Sequence, residues 1–222
     1  MAAEPVKILD AFIKKSDIPI VYRSIAPIYD IWSMLTESKA RNRCLELADI
    51  KDGQNILEVA VGTGAAFIEI VRRNPHGSNT GIDLTMEMLS RARNKVQKMG
   101  MGNYSLETGD AYDLPYPDET FDMLLNNYMF DLLPEKDFLL ILNGFLRVLK
   151  PGAKLVMANM TKPQCWYSSF AERIYRVKPS LMGGCRGVYL LPYLDSAGFK
   201  KTSREYISQM TFPTEVLCGF KP

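Results

Sequence analysis

Histidine is almost missing from this 222-residue chain: there is one, His76, and the four cysteines, Cys44, Cys165, Cys185 and Cys218, contain no C-x-x-C pair. A Cys/His zinc site lacks ligands, no metal is expected, and the thiols read as reduced and packed. Charge of one sign is lacking too. With 27 Lys+Arg against 25 Asp+Glu the net charge is +2, so no global field holds a polyanion and a nucleic-acid partner is disfavoured. Long hydrophobic runs are absent: no segment offers the roughly 18 uncharged apolar residues of a membrane span. The opening MAAEPVKILDAFIKK carries Glu4, Asp10 and three lysines in its apolar stretch, unlike a signal peptide. The expected location is cytoplasmic, with peripheral contact to a membrane left open. Repeats, low-complexity tracts and linkers are missing as well, which favours one domain over residues 1–222.

What is present is enough apolar material for a full core, 47% of residues against 23% charged. From Gln54 onward short apolar runs alternate with helical-period segments, the pattern of a parallel sheet with crossover helices. Strands are expected at 55–61, 79–84, 104–108, 121–127 and 153–160. Thr85 caps a helix with Met88, Leu89, Ala92 and Val96 on one face. Pro134 opens another with Phe138, Leu142, Phe145 and Leu149, and Lys150-Pro151-Gly152 ends it. A less regular stretch, 161–187, precedes a short helix near 188–197 and two strand-like runs, 200–209 and 213–220, which read as an antiparallel edge hairpin. Residues 5–48 look helical, with Val6, Leu9, Phe12 and Ile13 at spacings of three and four, and residues 1–50 are expected to form a lid bearing Tyr22, Tyr29 and Trp32. The fold class is therefore α/β: a Rossmann-like seven-stranded sheet, mostly parallel with an antiparallel C-terminal hairpin, and helices on both faces.

The strongest local signal is Glu58-Val59-Ala60-Val61-Gly62-Thr63-Gly64, a strand running into a glycine turn and then a helix, Ala65 to Arg73. In a doubly wound sheet such a turn lies at the carboxyl edge, where small residues let a ligand approach and a helix N-terminus presents free N–H groups. A bare glycine pair also serves as a plain strand-to-helix turn. The second strand, however, ends at Asp83, placed to take both hydroxyls of a ribose, and the third leads to Asp110 in Gly109-Asp110-Ala111. Any one acid can be a cap or a turn residue. Glu58, Asp83 and Asp110 at three consecutive strand ends would face one crevice.

With these motifs the sequence resembles the class I S-adenosylmethionine-dependent methyltransferases. The first motif is Leu57 to Gly64, the second Gly81-Ile82-Asp83-Leu84, the third Gly109-Asp110-Ala111 with Leu114 to Asp122, and the fourth Leu146 to Leu155. The resemblance implies a cofactor-binding core at 51–160, a substrate-covering segment at 161–187 and the C-terminal hairpin at 188–222. It also implies that Gly62 and Gly64 line the methionine part of the cofactor and that Tyr29, Glu58 and Ala60 belong to the cofactor-binding set. Asp83 would hold the ribose, Leu84 and Met88 would pack on adenine, and Asp110 with the Ala111 backbone would read its amino edge. Asn126, with Asn127, would face the methionine end. Ala60 stands where the commonest form of the motif has glycine. A nicotinamide dinucleotide would need G-x-G-x-x-G, and Phe67 occupies the third glycine's place. A non-catalytic S-adenosylmethionine-binding module is the other alternative.

Methyl transfer is an in-line displacement that needs alignment in a dry site more than it needs reactive groups. Tyr22, Tyr29, Trp32, Tyr128 and Phe130 are candidate walls, though each serves equally as core packing. His76 falls in the turn after the first helix, at the wrong edge of the sheet. A base, if one is used, falls to Asp131, Asp30 or Tyr128; Asp131 also suits a helix cap. The stretch from Trp166 to Lys178 mixes large aromatics with basic residues. Within the family, Tyr29-Asp30, the Gly62-Thr63-Gly64 form and Phe212-Pro213-Thr214-Glu215-Val216 look most like quinone-biosynthesis C-methyltransferases and bacterial phospholipid N-methyltransferases. A small or lipid-like acceptor is the expectation, with S-adenosyl-L-homocysteine as product.

Overall fold

The run Asn55–Val59 forms β1 and is buried at every position but the first, which requires a sheet covered on both faces. It lies between β2 (Ser78–Asp83) and β4 (Phe121–Asn127), parallel to both. β3 (Tyr104–Thr108) extends the sheet beyond β2, and β5 (Leu149–Met160) extends it beyond β4. The two late strands, β6 (Lys200–Gln209) and β7 (Phe212–Phe220), are antiparallel, giving the order β3-β2-β1-β4-β5-β7-β6. The order reverses direction at β1, so the carboxyl ends of β1 and β4 frame the crevice in which open α/β sheets bind ligands. This computed structural model describes residues 30–162, 185–210 and 212–222. The expected helices before residue 30, Tyr22, Tyr29 and the Trp166 to Lys178 stretch lie outside the described residues.

Strand side chains alternate between two cores. Ile56, Leu125 and Val156 meet α1 (Ser38–Ala48), α2 (Phe67–Arg73) and α3 (Met86–Gln97) on one face. Leu57, Leu124 and Leu155 meet α4 (Phe138–Val148) and α5 (Leu191–Ala197) on the other. Of the residues expected to form a lid, α1 is part of the first core, burying Ala40, Cys44, Leu45 and Ala48.

Three local readings need correction. β1 stops at Val59, not at residue 61, because Ala60 has φ +61° and leaves the extended conformation. The helix after the glycine turn begins at Phe67 rather than Ala65. Lys150-Pro151-Gly152 does not separate helix from strand: α4 passes into β5 at Leu149, and these residues form an irregularity where the pairing slips between Phe121 and Met123. Proline is tolerated at such a point because no ladder N–H is needed, and Gly152 supplies φ +76°.

Candidate active site at the carboxyl edge of the sheet

The two glycines of the turn do different work. Gly62 has φ +56°, and a Cβ there would meet open space; its N–H donates to Asp83 Oδ2 at 2.7 Å. Gly64 has φ +82°, and a Cβ there would lie 2.9 Å from Ala92 Cα, so this glycine lets α3 pack against the turn. The second oxygen of Asp83 accepts from the Thr85 N–H at 2.8 Å. Burial pushes the Asp83 pKa up, and the Thr85 and Gly62 N–H groups work against that rise. The carboxylate is thus fixed at the end of β2 with its remaining lone pairs at the cleft.

That cleft, about 780 Å³, lies over the ends of β1, β2 and β4. Ala60, Gly62, Asp83, Leu84, Met88, Asp110, Ala111 and Tyr128 all line it, from four separate stretches of chain. Its other walls, Tyr112, Met129, Leu132 and Leu133, went unnoticed in the sequence. Asp110 Oδ1 accepts the Tyr112 N–H at 3.0 Å, and Tyr112 Oη donates to Asp137 Oδ2 at 2.8 Å, which holds the ring at the rim.

A second cavity of about 370 Å³ adjoins the first, sharing Ala60, Gly62, Asn127 and Tyr128 as walls. Its own walls bring the polar Ser33, Glu37, Arg41, Glu58 and Thr63 together with Val61, Ala65 and Ala66. Glu58 is 2% exposed, and its Oε2 has no hydrogen-bond partner; neither polar atom of the Asn127 amide has one. Burial pushes the Glu58 pKa up to about 8, with the nearby Asn127 amide and the Arg41 charge offsetting part of the rise. Arg41 Nη1 donates to Ser33 Oγ at 2.9 Å. Ser33, Glu37 and Arg41 recur every four residues, a polar stripe that apolar periodicity alone did not flag.

At the rim, Thr63 Oγ1 donates to Asp30 Oδ1 at 2.5 Å, and Lys95 Nζ donates to the same oxygen at 2.7 Å. Partial burial opposes the Asp30 charge, but Lys95 and Thr63 outweigh it and hold the carboxyl below its ordinary range. An acid so paired is a latch across the glycine turn and a poor base.

Gly64, Asn126 and Asp131 line neither cavity. Asn126 is fully buried and donates to Val59 O at 2.9 Å, bracing β1 against β4, while the next residue, Asn127, faces the cleft. Asp131 is fully buried with both carboxyl oxygens unpartnered, and the Arg186 guanidinium beside it bonds instead to the backbone carbonyls of Asp131 and Leu133. Burial pushes its pKa up to about 6, against the influence of the Cys185 thiol and Arg186. Tyr128 turns into the site from a φ of +53°, and its hydroxyl lies 3.1 Å from Thr214 Oγ1. Burial raises its pKa well above the usual 10. His76 is exposed at the amino edge, 2.6 Å from Asp52.

Residues 50–188 match a family described as a methyltransferase domain. A demethylmenaquinone methyltransferase of Listeria welshimeri is 31% identical over 173 residues, 75% of this chain and 72% of that protein. The ubiquinone/menaquinone biosynthesis C-methyltransferase UbiE of Saccharophagus degradans is 32% identical over 163 residues, 70% of this chain and 63% of that one. Among solved structures, a SAM-dependent methyltransferase from Aquifex aeolicus superposes with a TM-score of 0.63 at 20% identity, over 95% of this chain and all of its own.

Proposed function

Because the chain belongs to the class I S-adenosylmethionine-dependent methyltransferases, we propose that it methylates a small, lipid-like acceptor of the quinol type. The residues present fit the cofactor: open space at the Gly62 Cβ position, a fixed carboxylate at Asp83, and unpartnered polar atoms on Glu58 and Asn127 that await a ligand's donors and acceptors. Asp83 would hold the ribose hydroxyls, and Leu84 and Met88 the adenine faces. Asp110 and the Ala111 N–H would take its amino edge. Gly62 would border the methionine portion, whose aminocarboxylate end the second cavity suits, with Glu58 toward the ammonium and Arg41 toward the carboxylate.

Bound S-adenosylmethionine supplies an electrophilic methyl group on a positively charged sulfur. The protein's part is to align and to exclude water. The observation that supports the acceptor class is an aromatic wall that starts at Tyr128 in the cleft and continues outside both cavities: the Tyr128 ring lies 6.1 Å from the buried Phe212, and Phe212 lies 6.2 Å from Trp32. The names of the similar proteins support the same reading. Ile31, Met34, Leu35 and Met210 are exposed close to that wall, which suits an acceptor met at a membrane surface. Among the described residues, no helix is long and apolar enough to cross a membrane.

With Asp30 held as a latch, two of the three expected bases remain: Asp131 has the chemistry and Tyr128 the position. A carboxylate with a pKa near 6 accepts a proton at neutral pH, whereas Tyr128 keeps its own. Because Asp131 is buried and lines neither cavity, the proposal has it take the proton through an intervening group and not by touching the acceptor. Turnover with labelled cofactor on demethylated prenyl quinols, phospholipid vesicles and small amines tests the whole reading. Methylated quinol is expected, with Asp131→Asn lowering kcat by about a hundredfold or more and Tyr128→Phe by much less. Salt-sensitive methylation of RNA, with none on that panel, would sink it.

A further inference from the structure

A carboxyl group cut off from water is costly as an anion and far less so as a neutral acid. Glu58 is such a group: it is 2% exposed at the end of β1, and its Oε2 meets no donor. The charges facing it come from every neighbouring element. Glu37 and Arg41 lie on the helical stretch above the cavity, with Cys44 one turn further along α1; Asp83 lies at the end of β2, and Asn127 and Tyr128 at the end of β4. Asp83 opposes ionisation of Glu58. Arg41 is the cation facing it among the described residues, and that guanidinium already donates to Ser33 Oγ. The Asn127 amide is close enough to favour the anion, and its influence offsets only part of the cost of burial. With the cavity empty, nothing stabilises a Glu58 anion enough to keep it charged at neutral pH, in agreement with a pKa of about 8.

An arriving ammonium supplies both a positive charge and N–H donors at that oxygen. We propose that docking of the cofactor's α-ammonium in the second cavity drives Glu58 to ionise, so that each cofactor bound releases one proton to solvent. The O–H bond of the Glu58 carboxyl breaks, the proton passes to buffer, and the carboxylate remains as the ammonium's counter-ion; no electron moves. The inference rests on the cofactor placement given above and adds a linkage to it. Cofactor affinity should climb as pH rises, by up to about tenfold per unit below the Glu58 pKa, and level off where the ligand's own amine begins to deprotonate.

Calorimetric titration of the intact protein in two buffers of different ionisation enthalpy counts the protons. The probes are S-adenosylhomocysteine, which keeps the aminocarboxylate, and 5′-methylthioadenosine, which lacks it. At about pH 6.5, where the free α-amine is still charged, close to one proton should be released per S-adenosylhomocysteine and none per 5′-methylthioadenosine. Glu58→Gln, which keeps shape and removes the titration, should abolish the release and weaken S-adenosylhomocysteine at least tenfold while leaving 5′-methylthioadenosine within about twofold. The wild-type contrast between the two ligands stands even if that variant fails to fold. Binding of S-adenosylhomocysteine without buffer-dependent heat, or a proton still released by Glu58→Gln, overturns the coupling alone. No binding of either ligand at any pH overturns the cofactor placement and the coupling with it.

Discussion

Ala60 is held at φ +61° between the end of β1 and Gly62, in a region that a β-carbon disfavours by about 1–2 kcal/mol and that glycine enters freely. Glycine loses more freedom on folding, about 0.5–1 kcal/mol, so the two effects nearly offset and strain wins narrowly. Ala60→Gly should raise the melting temperature by about 2 °C in a scan and leave S-adenosylhomocysteine affinity within about threefold. A loss of more than about 1 kcal/mol would mean that the methyl packs better than its backbone suffers. The sequence marked this position by its departure from the motif, but not its conformation, since a strand reading ran through it to residue 61. Asp83 and Asp110 were legible because acids at successive strand ends have a stated job. Arg41 and Glu37 were not, because a helix read through its apolar face gives no weight to its polar stripe.

The strands were the most legible elements, because short stretches with apolar residues between turn signals leave few alternatives. What the runs hide is a charge inside them. In β7, Phe212–Phe220, every residue but the last is buried, and Glu215 is one of them at 0% exposure. Arg204 in β6 pairs with Leu217, which sets it diagonally beside Glu215 on the same sheet face, and its Nε donates to Glu215 Oε2 at 2.6 Å. The Leu190 N–H donates to Oε1 at 2.9 Å, tying the approach to α5 to the strand. Burial raises the Glu215 pKa, and Arg204 works against that. Removing the acid alone leaves a cation and an N–H unpaired in a poorly hydrated place, so Glu215→Leu should cost about 3–5 kcal/mol in urea unfolding. The double change Glu215→Leu with Arg204→Met should cost clearly less than Glu215→Leu alone. A double variant as unstable as the single would show that the Leu190 contact, not the buried charge, dominates.

At the scale of the molecule, the two edges of the sheet divide the labour. The carboxyl edge has open clefts and unpartnered polar atoms; the amino edge has polar atoms satisfied by one another. Asn74, fully buried, accepts from the Gly53 and Gln54 N–H groups at 2.8 and 3.1 Å and donates to Gln54 O and Asn79 Oδ1 at 2.9 and 2.8 Å. Asn79 and Asn103 each donate back to Asn74 O, at 3.2 and 2.6 Å, so three turns are closed by one cluster of amides. Asparagines in turns read as solvated from sequence, which is why the cluster went unseen while the lone histidine beside it was placed at the correct edge. Asn74→Ala leaves several buried backbone groups without partners, at about 1–3 kcal/mol for each group that water cannot reach. His76→Ala removes only an exposed contact with Asp52. Asn74→Ala should therefore lower the unfolding midpoint by several degrees, His76→Ala should hardly change it, and both should keep kcat within about twofold in the folded protein. A hundredfold loss of turnover in folded His76→Ala would put chemistry at the amino edge and undo the division between the two.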